Sequence, residues 1–263
     1  MSLSGPRMTA IGSGKGGTGK TFLALTLAQA FADRGERVLV CDADLGLSNT
    51  SVHLGLACSG DLPGYLAGRT PLKAATSAVE TPGHTKFDLL AAPAGTGLLA
   101  DADQATVVRL AHLLRRVPCY DRVIVDLGAG IGEAVTSLAA ESDDVVTVMT
   151  CDPAALTDAY AFNKLVLKRN GGRAPSLVVN MAVNAAEAKR TADALTTSAR
   201  SFLKATPAYL GFVPNDGRVV EALRRQTSLW VASPQSPVLA AVIALTGLLG
   251  GQPARVRATG SMR

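Results

Sequence analysis

The chain has 263 residues, which suits one large α/β domain, and 48% of them are hydrophobic but only 4% aromatic. The core must therefore consist mainly of Ala, Val, Leu and Ile, as in parallel sheets covered by helices, while four cysteines without CxxC spacing or a histidine cluster argue against a metal centre or a disulfide framework. The net charge of +5 permits contact with DNA or a membrane surface, although no long run of like charges forms a basic tail.

Strand-like apolar segments alternate with helical segments along the chain. The first strand is predicted over Met8–Ile11 and leads through a glycine-rich loop into a helix over Gly19–Arg34. Further strands are predicted over Arg37–Asp42, Phe87–Ala92, Arg122–Asp126, Val145–Met149, Ser176–Asn180 and Ala208–Val213. Further helices are predicted over Ala105–Arg116, Ala154–Arg169, Ala186–Leu203, Arg218–Gln226 and Pro237–Leu249. This alternation predicts a doubly wound, mostly parallel sheet with helices on both faces.

The segment 45–82 is less regular and shows turns with short helical pieces between them. No linker looks long or polar enough to divide the chain, so we predict a single domain over residues 1–250. The tail over residues 251–263 has little apolar content and is expected to be disordered. The polar N-terminus lacks a signal-peptide core, and Val238–Leu249 is shorter than the ~18 to 20 apolar residues that span a bilayer, which together predict a cytoplasmic protein.

A phosphate-binding loop follows the first strand. The residues from Gly14 to Thr21 match G-x-x-x-x-G-K-[ST] and lie between a predicted strand and a predicted helix, the context that this motif requires. Glycines let backbone N–H groups surround phosphate oxygens, and the helix N-terminus adds its positive end. Lys20 would neutralise the β- and γ-phosphates, and the Thr21 hydroxyl would ligate Mg²⁺. The predicted ATP-binding residues of the loop are Gly14, Lys15, Gly16, Gly17, Thr18, Gly19, Lys20 and Thr21.

Carboxylates end two of the predicted strands. Asp42 and Asp44 close the second strand, and Asp126 closes Val123-Ile124-Val125-Asp126. At the carboxyl edge of a parallel sheet these side chains face the nucleotide crevice. Asp126 fits the apolar-then-acid pattern of a Walker B strand and would hold Mg²⁺ through water. The alternative for Asp42 and Asp44 is a pair of acids that cap the next helix.

The second lysine of the loop, Lys15, gives the motif K-G-G-x-G-K-[ST], which resembles the deviant Walker A motif of the MinD/ParA family of dimerising ATPases. The resemblance implies that Lys15 contacts the nucleotide phosphates of a partner subunit and so couples ATP binding to dimer formation. It also implies that Asp42 lies near the Mg²⁺ water shell and that Asp44 orients the attacking water. Lys15, Lys20 and Asp44 are then the catalytic residues, and Thr21, Asp42 and Asp126 the residues that hold the metal.

Three further segments resemble the flagellar-number ATPases of the FlhG (FleN) group within this family. These segments are Asp126-Leu127-Gly128-Ala129-Gly130-Ile131, the run Asp42–Asn49, and Thr157-Asp158-Ala159-Tyr160. The resemblance implies that Asn180 reads the adenine edge, that Pro214 packs near the base and that Asp152 lies near the nucleotide of the dimer. For each of these three residues an ordinary strand-end or turn position is the alternative.

The resemblance implies an ATP-dependent homodimer whose partner is a flagellar regulatory protein, either a GTPase or a transcription activator. The predicted last helix is apolar on nearly all sides and is expected to pack against the body, so the sequence shows no clear membrane anchor. A peripheral location at the inner membrane or cell pole stays open. We also expect no N-terminal extension of the kind that stimulates a partner GTPase.

Basic residues at Lys164, Lys168, Arg169 and Arg173 leave open binding to non-specific DNA, although a solvated helix face is the simpler interpretation. The alternative functions are therefore a ParA-like chromosome or plasmid partition ATPase and a MinD-like division-site ATPase. A nucleotide-bound scaffold without useful hydrolysis is a third.

Overall fold

The computed structural model describes residues 5–44, 50, 60–92 and 103–250. Its strands are β1 (Arg7–Gly12), β2 (Val38–Ala43), β3 (Thr76–Val79), β4 (Phe87–Leu90), β5 (Arg122–Leu127), β6 (Asp144–Met149), β7 (Ser176–Ala182) and β8 (Tyr209–Pro214). Its helices are α1 (Lys20–Asp33), α2 (Leu62–Leu66), α3 (Leu72–Ala75), α4 (Gln104–Leu114), α5 (Glu133–Ala140), α6 (Pro153–Arg169), α7 (Ala185–Ser198), α8 (Gly217–Arg224), α9 (Leu229–Ala232) and α10 (Pro237–Leu249). A π-helical turn, Ala199–Leu203, follows α7.

The strands form one sheet in the order β3-β4-β2-β5-β1-β6-β7-β8. Every neighbouring pair is parallel except β3 and β4, which are antiparallel. The register places Asp126 of β5 beside Ile11 of β1 on one side and beside Asp42 of β2 on the other. The predicted fold class, a doubly wound and mostly parallel sheet, is therefore confirmed.

Successive side chains of a strand point to opposite faces of the sheet, and helices cover both of these faces. On one face Ile11, Val40 and Ile124 pack with α1 and α10. On the other face Ala10 and Leu39 pack in a cluster with residues of α4, α5 and α6. This burial explains why the central strands are continuous apolar runs without polar alternation.

The prediction misses three elements of the described chain, β3, α5 and α9. The strand β3 has only four residues at the sheet edge, with Thr76 and Ser77 among them. The helix α5 has only eight residues and follows a glycine-rich segment, so its apolar stripe covers barely two turns. The predicted disordered tail, residues 251–263, lies outside the described residues.

The last helix, α10, packs against the body as expected. Val238, Val242 and Leu245 are fully or almost fully buried, and the Arg34 guanidinium donates to the Thr246 hydroxyl at 3.0 Å. Only its outer side presents apolar side chains to solvent, with Leu248 the most exposed of them. Within the described ranges, no helix has both the length and the apolar content to cross a bilayer.

Arg122, at the start of β5, is a charged residue buried at the end of the sheet opposite the glycine-rich loop. Its Nε donates to Glu36 Oε2 at 2.7 Å, and its guanidinium carbon lies 3.8 Å from the ring centroid of Phe31. Because Arg122→Ala would leave the Glu36 carboxylate without its cation, we expect the free energy of unfolding to fall by about 3 to 5 kcal/mol in chemical denaturation.

The control for this prediction is Arg37→Ala, since Arg37 also pairs with an acid, Asp121, at 2.7 Å. Both side chains of that pair are exposed, at 54% and 38%, and its loss should cost less than about 1 kcal/mol. Equal losses for the two variants would contradict the assignment of Arg122 as a stabilising residue.

Candidate nucleotide-binding site

The predicted phosphate-binding loop connects β1 to α1, as its motif requires. The helix begins at Lys20, directly after Gly19, which has φ 84°. At the start of the loop, Gly14 lies against α6, where an added Cβ would stand 2.0 Å from the carbonyl oxygen of Asp158. Only glycine fits there, so the loop is fixed at one end by a helix more than a hundred residues away.

Asn180, at the carboxyl end of β7, holds the other end of the loop. Its side-chain Nδ2 donates to the Thr18 carbonyl at 2.8 Å, and its Oδ1 accepts from the Met181 backbone N–H at 2.9 Å. The side chain is buried between these contacts. The structure thus brings Asn180 to the loop as a support for it, and reading of the adenine edge stays a prediction.

Gly19 is required for two reasons, its positive φ and its contact with Asn180. A Cβ at this position would lie 2.3 Å from Asn180 Nδ2. We expect Gly19→Ala to displace the loop and to weaken Mg·ATP binding at least about tenfold, measured by titration calorimetry. The control is Gly35→Ala, because Gly35 has φ 90° but open space around its Cβ position. That variant should lose stability without losing affinity, and equal affinities for both variants would contradict the prediction.

The Walker B candidate, Asp126, is almost completely buried beside the loop. Burial and the neighbouring Asp42 raise the pKa of this carboxyl to about 7, against the opposing effects of the Thr21 hydroxyl and the Lys20 ammonium. The Lys20 side chain is itself buried, and this desolvation lowers its pKa. A buried lysine and a buried carboxyl group thus lie together, at the place where a phosphate and a cation would be bound.

Asp42 has a different environment from Asp126, although the two are register neighbours. Its carboxylate accepts from the Thr50 hydroxyl at 2.6 Å and from the backbone N–H of Asp44 at 3.0 Å. Asp44 in turn lies beside Gly128, where an added Cβ would be 3.3 Å from its Oδ1. Asp42 thus positions the segment that carries Asp44, and its contact with the metal shell stays a prediction.

The residues at this edge fit Mg²⁺. The Oδ1 atom of Asp126 is buried and has no hydrogen-bond partner in the described chain, while the Thr21 hydroxyl lies close enough to the same carboxyl group to lower its pKa. Oxygen donors of this kind suit a hard cation that keeps several water or phosphate ligands. Among the described residues, no group of three or more Asp, Glu, His or Cys side chains surrounds a metal position.

Lys15 and Asp152 meet on the solvent side of the loop. Lys15 Nζ lies 2.9 Å from Asp152 Oδ1, and the same oxygen accepts from the Ala155 backbone N–H at 2.9 Å as the N-cap of α6. The Thr150 hydroxyl also donates to this carboxylate. Thr150 and then Lys15 are the main causes that hold the pKa of Asp152 well below its usual range.

Most of the predicted site residues thus lie together at the carboxyl edge of the sheet. Pro214 ends β8 and pairs with Ala182 of β7, two residues after Asn180, and its packing near the base stays a prediction. Sequence analysis missed Thr50, Thr150 and the loop residue Ser13, whose carbonyl accepts from Gly130 N–H at 3.1 Å. Nothing in a single sequence distinguishes these three residues from the other Ser and Thr residues of the chain.

Residues 9–229 match the profile of the CobQ/CobB/MinD/ParA nucleotide binding domain, CbiA. The chain belongs to this family. It is 32% identical over 231 residues to the antiactivator FleN of Pseudomonas aeruginosa, a match that covers 88% of this chain and 81% of the relative. It is 30% identical over 250 residues to the flagellum site-determining protein YlxH of Helicobacter pylori, which covers 92% and 81%.

Among solved structures, the septum site-determining protein MinD from Pyrococcus horikoshii, in complex with Mg-ADP, superposes with a TM-score of 0.74 and 24% identity. That match covers 93% of this chain and 96% of the other and supports the shared fold. As a member of the MinD/ParA group with an intact phosphate-binding loop, the protein is an ATP hydrolase. The phosphate-binding loop of this chain contains both lysines, Lys15 and Lys20.

Proposed function

We propose that this MinD/ParA-family ATPase is an ATP-dependent dimerising switch that regulates flagellar number or placement. The similarity to antiactivator FleN over nearly nine tenths of the chain supports the flagellar role most directly. The phosphate-binding loop with its additional Lys15 supports the switch. The match to the second flagellar relative covers an even larger share of the chain. The similarity is therefore not limited to the nucleotide site.

Each site residue has a distinct role in the proposed cycle. The loop amides and the buried Lys20 bind the phosphates and stabilise the negative charge that develops during their transfer. Thr21 and Asp126 would hold Mg²⁺, which offsets phosphate charge when bound. Asp44 would orient the attacking water, and Lys15 would reach the phosphates of the partner subunit. Hydrolysis then separates the two subunits. Turnover is slow, because the cycle serves to change the binding partner and not to produce a metabolite.

The partner in this proposal is a flagellar regulatory protein, either a GTPase or a transcription activator. A peripheral position at the inner membrane or the cell pole is part of the same proposal. Retention on non-specific DNA that depends on ATP and is lost at high salt would instead favour a partition-type ATPase.

The first test is the molecular mass in solution, measured by light scattering with ADP, with ATP, and with ATP on the Asp44→Ala variant. We expect a monomer, a transient dimer and a trapped dimer, respectively. Lys15→Ala should abolish the dimer while nucleotide still binds. A mass that never changes with nucleotide would show that the dimer switch is wrong.

The flagellar role needs a separate test in cells of the source organism. Flagella counted by electron microscopy in cells that carry only the Lys15→Ala variant should differ in number or position from those of wild-type cells. Unchanged flagella together with an intact ATP-dependent dimer would contradict the flagellar role and leave the switch mechanism in place.

A further inference from the structure

We propose that a cleft at the amino edge of the sheet binds an apolar organic anion, a small molecule with a hydrophobic body and one negatively charged group. This amino-edge cleft lies where β2 and β4 begin and has a volume of about 710 Å³, with Val38 and Phe87 among its lining residues. Asp42 of the nucleotide site is four residues beyond Val38 on β2, which is about 13 Å in an extended strand. The ligand is therefore distinct from ATP, and the inference does not depend on the dimer switch.

The size and the floor of the amino-edge cleft suit a small organic molecule. Sites for such ligands have volumes of roughly 300 to 1,000 Å³ and are lined mainly by apolar side chains. Here Val38, Phe87 and Leu72 of α3 line the cleft, and the first two are almost completely buried. A hydrophobic ligand body placed on this floor would lose contact with water, which favours binding.

Basic side chains from three separate segments surround the same cleft. Lys73 lies on α3, Lys86 directly precedes β4, and Arg37 directly precedes β2; all three line the cleft and are exposed. Among the described residues, no carboxylate forms an ion pair with Lys73 or Lys86. The charge at the rim of the cleft thus favours a negatively charged ligand group.

Two acids near the cleft are already bound to arginines. Glu36 accepts from Arg122 Nε at 2.7 Å, in the buried pair described above. Asp121 lies 2.7 Å from the Arg37 guanidinium, so Arg37 is engaged as well. Neither acid is therefore a free carboxylate that would repel an anion, and Arg37 is not counted as a free cation.

The third acid, Asp88, is bound by Tyr120. The Tyr120 hydroxyl donates to Asp88 Oδ2 at 2.6 Å, and both residues line the cleft. Burial and the Asp88 carboxylate raise the pKa of Tyr120 well above its usual range, so the phenol stays protonated and keeps this hydrogen bond at neutral pH. Lys73 and Lys86 are thus the charged groups that remain available to a ligand.

Cys119 provides a reporter inside the cleft. Its thiol is free and exposed, it lines the cleft, and it interacts electrostatically with Arg37. A ligand bound between the apolar floor and the lysines would cover this thiol. Cys151, which is partly exposed and does not line the cleft, serves as the internal reference.

The test uses the full chain and the dye anilinonaphthalene sulfonate, which combines apolar rings with one negative charge. Titration followed by fluorescence and calorimetry should show saturable binding of one dye per chain. The double variant Lys73→Ala/Lys86→Ala should raise the dissociation constant by about 3- to 20-fold, since it removes two exposed ionic contacts. The matched control is Lys164→Ala/Lys168→Ala, which removes two exposed lysines from α6 and should leave the dissociation constant unchanged.

A second measurement locates the bound dye. Alkylation by iodoacetamide, followed by mass spectrometry, should be several-fold slower at Cys119 when the dye is saturating, while the rate at Cys151 stays the same. Saturating Mg·ADP should leave the affinity for the dye unchanged, because the nucleotide occupies the opposite edge of the sheet.

Four results would overturn the inference. Absence of saturable binding would show that the cleft takes no such ligand. Equal losses of affinity in the two double variants would mean that overall charge, and not the rim of the cleft, attracts the dye. Binding that leaves Cys119 unprotected would place the dye at another apolar surface, and displacement by Mg·ADP would place it in the nucleotide site.

Discussion

Lys20→Ala is expected to slow ATP hydrolysis by a factor of about 10² to 10³ at saturating ATP, measured as phosphate release. The Lys20 ammonium is buried at the first turn of α1, and the carboxyl groups of Asp126 and Asp44 act on it electrostatically. A buried charge placed before the reaction interacts with developing phosphate charge far more strongly than one in water. Alanine removes that interaction, and water entering the site would restore only a small part of it.

The matched control for Lys20 is Lys168→Ala. Lys168 lies in the last turn of α6 and is exposed, so the variant loses the same formal charge at a distance from the nucleotide. Its rate should stay within about twofold of the wild type, since exposed charges are strongly screened. A similar loss of rate in both variants would show that overall charge, and not the buried position of Lys20, controls hydrolysis.

The sheet could be predicted from the sequence because its central strands are local and almost uniformly apolar. Val123-Ile124-Val125 is an example. Because it is buried on both faces, it is a continuous apolar run that predicts a strand without information about the strands beside it. The edge strand β3 has no such pattern, and it forms only because β4 provides a partner. The π-helical turn after α7 is another case, where the helical pattern continues but the backbone changes and ends at Lys204 with φ 56°.

The site was predictable where its chemistry lies in consecutive residues and was not predictable where it depends on distant contacts. The loop from Gly14 to Thr21 can be recognised directly in the sequence, because consecutive residues bind the phosphates of one nucleotide. The pairs of Lys15 with Asp152 and of Thr18 with Asn180 join residues 137 and 162 positions apart. Such contacts follow from the order of strands in the sheet, which local patterns do not determine.

Asp126→Asn is expected to make the nucleotide-free protein more stable than the wild type at alkaline pH. The folded-state pKa of Asp126 is about 7, whereas an unfolded Asp has a pKa of ~3.9. The protonated carboxyl is therefore favoured in the fold, and its contribution to stability is fully present below the unfolded pKa and lost as the pH rises to about 7. Asparagine keeps the neutral form at every pH. At pH 8 the variant should be more stable by up to about 4 kcal/mol.

The pH dependence separates this effect from a general change in packing. The difference in unfolding free energy between Asp126→Asn and wild type, measured by urea denaturation, should grow from pH 4 to pH 7 and then level off. Asp193→Asn, at an exposed carboxylate, should show no comparable growth. Mg·ATP should reverse the order at pH 8, because a bound cation stabilises the Asp126 carboxylate and cannot be held as well by the amide. A difference that is constant with pH would mean that the wild-type carboxyl titrates alike in the folded and unfolded chain, and the electrostatic account of the metal site would then be wrong.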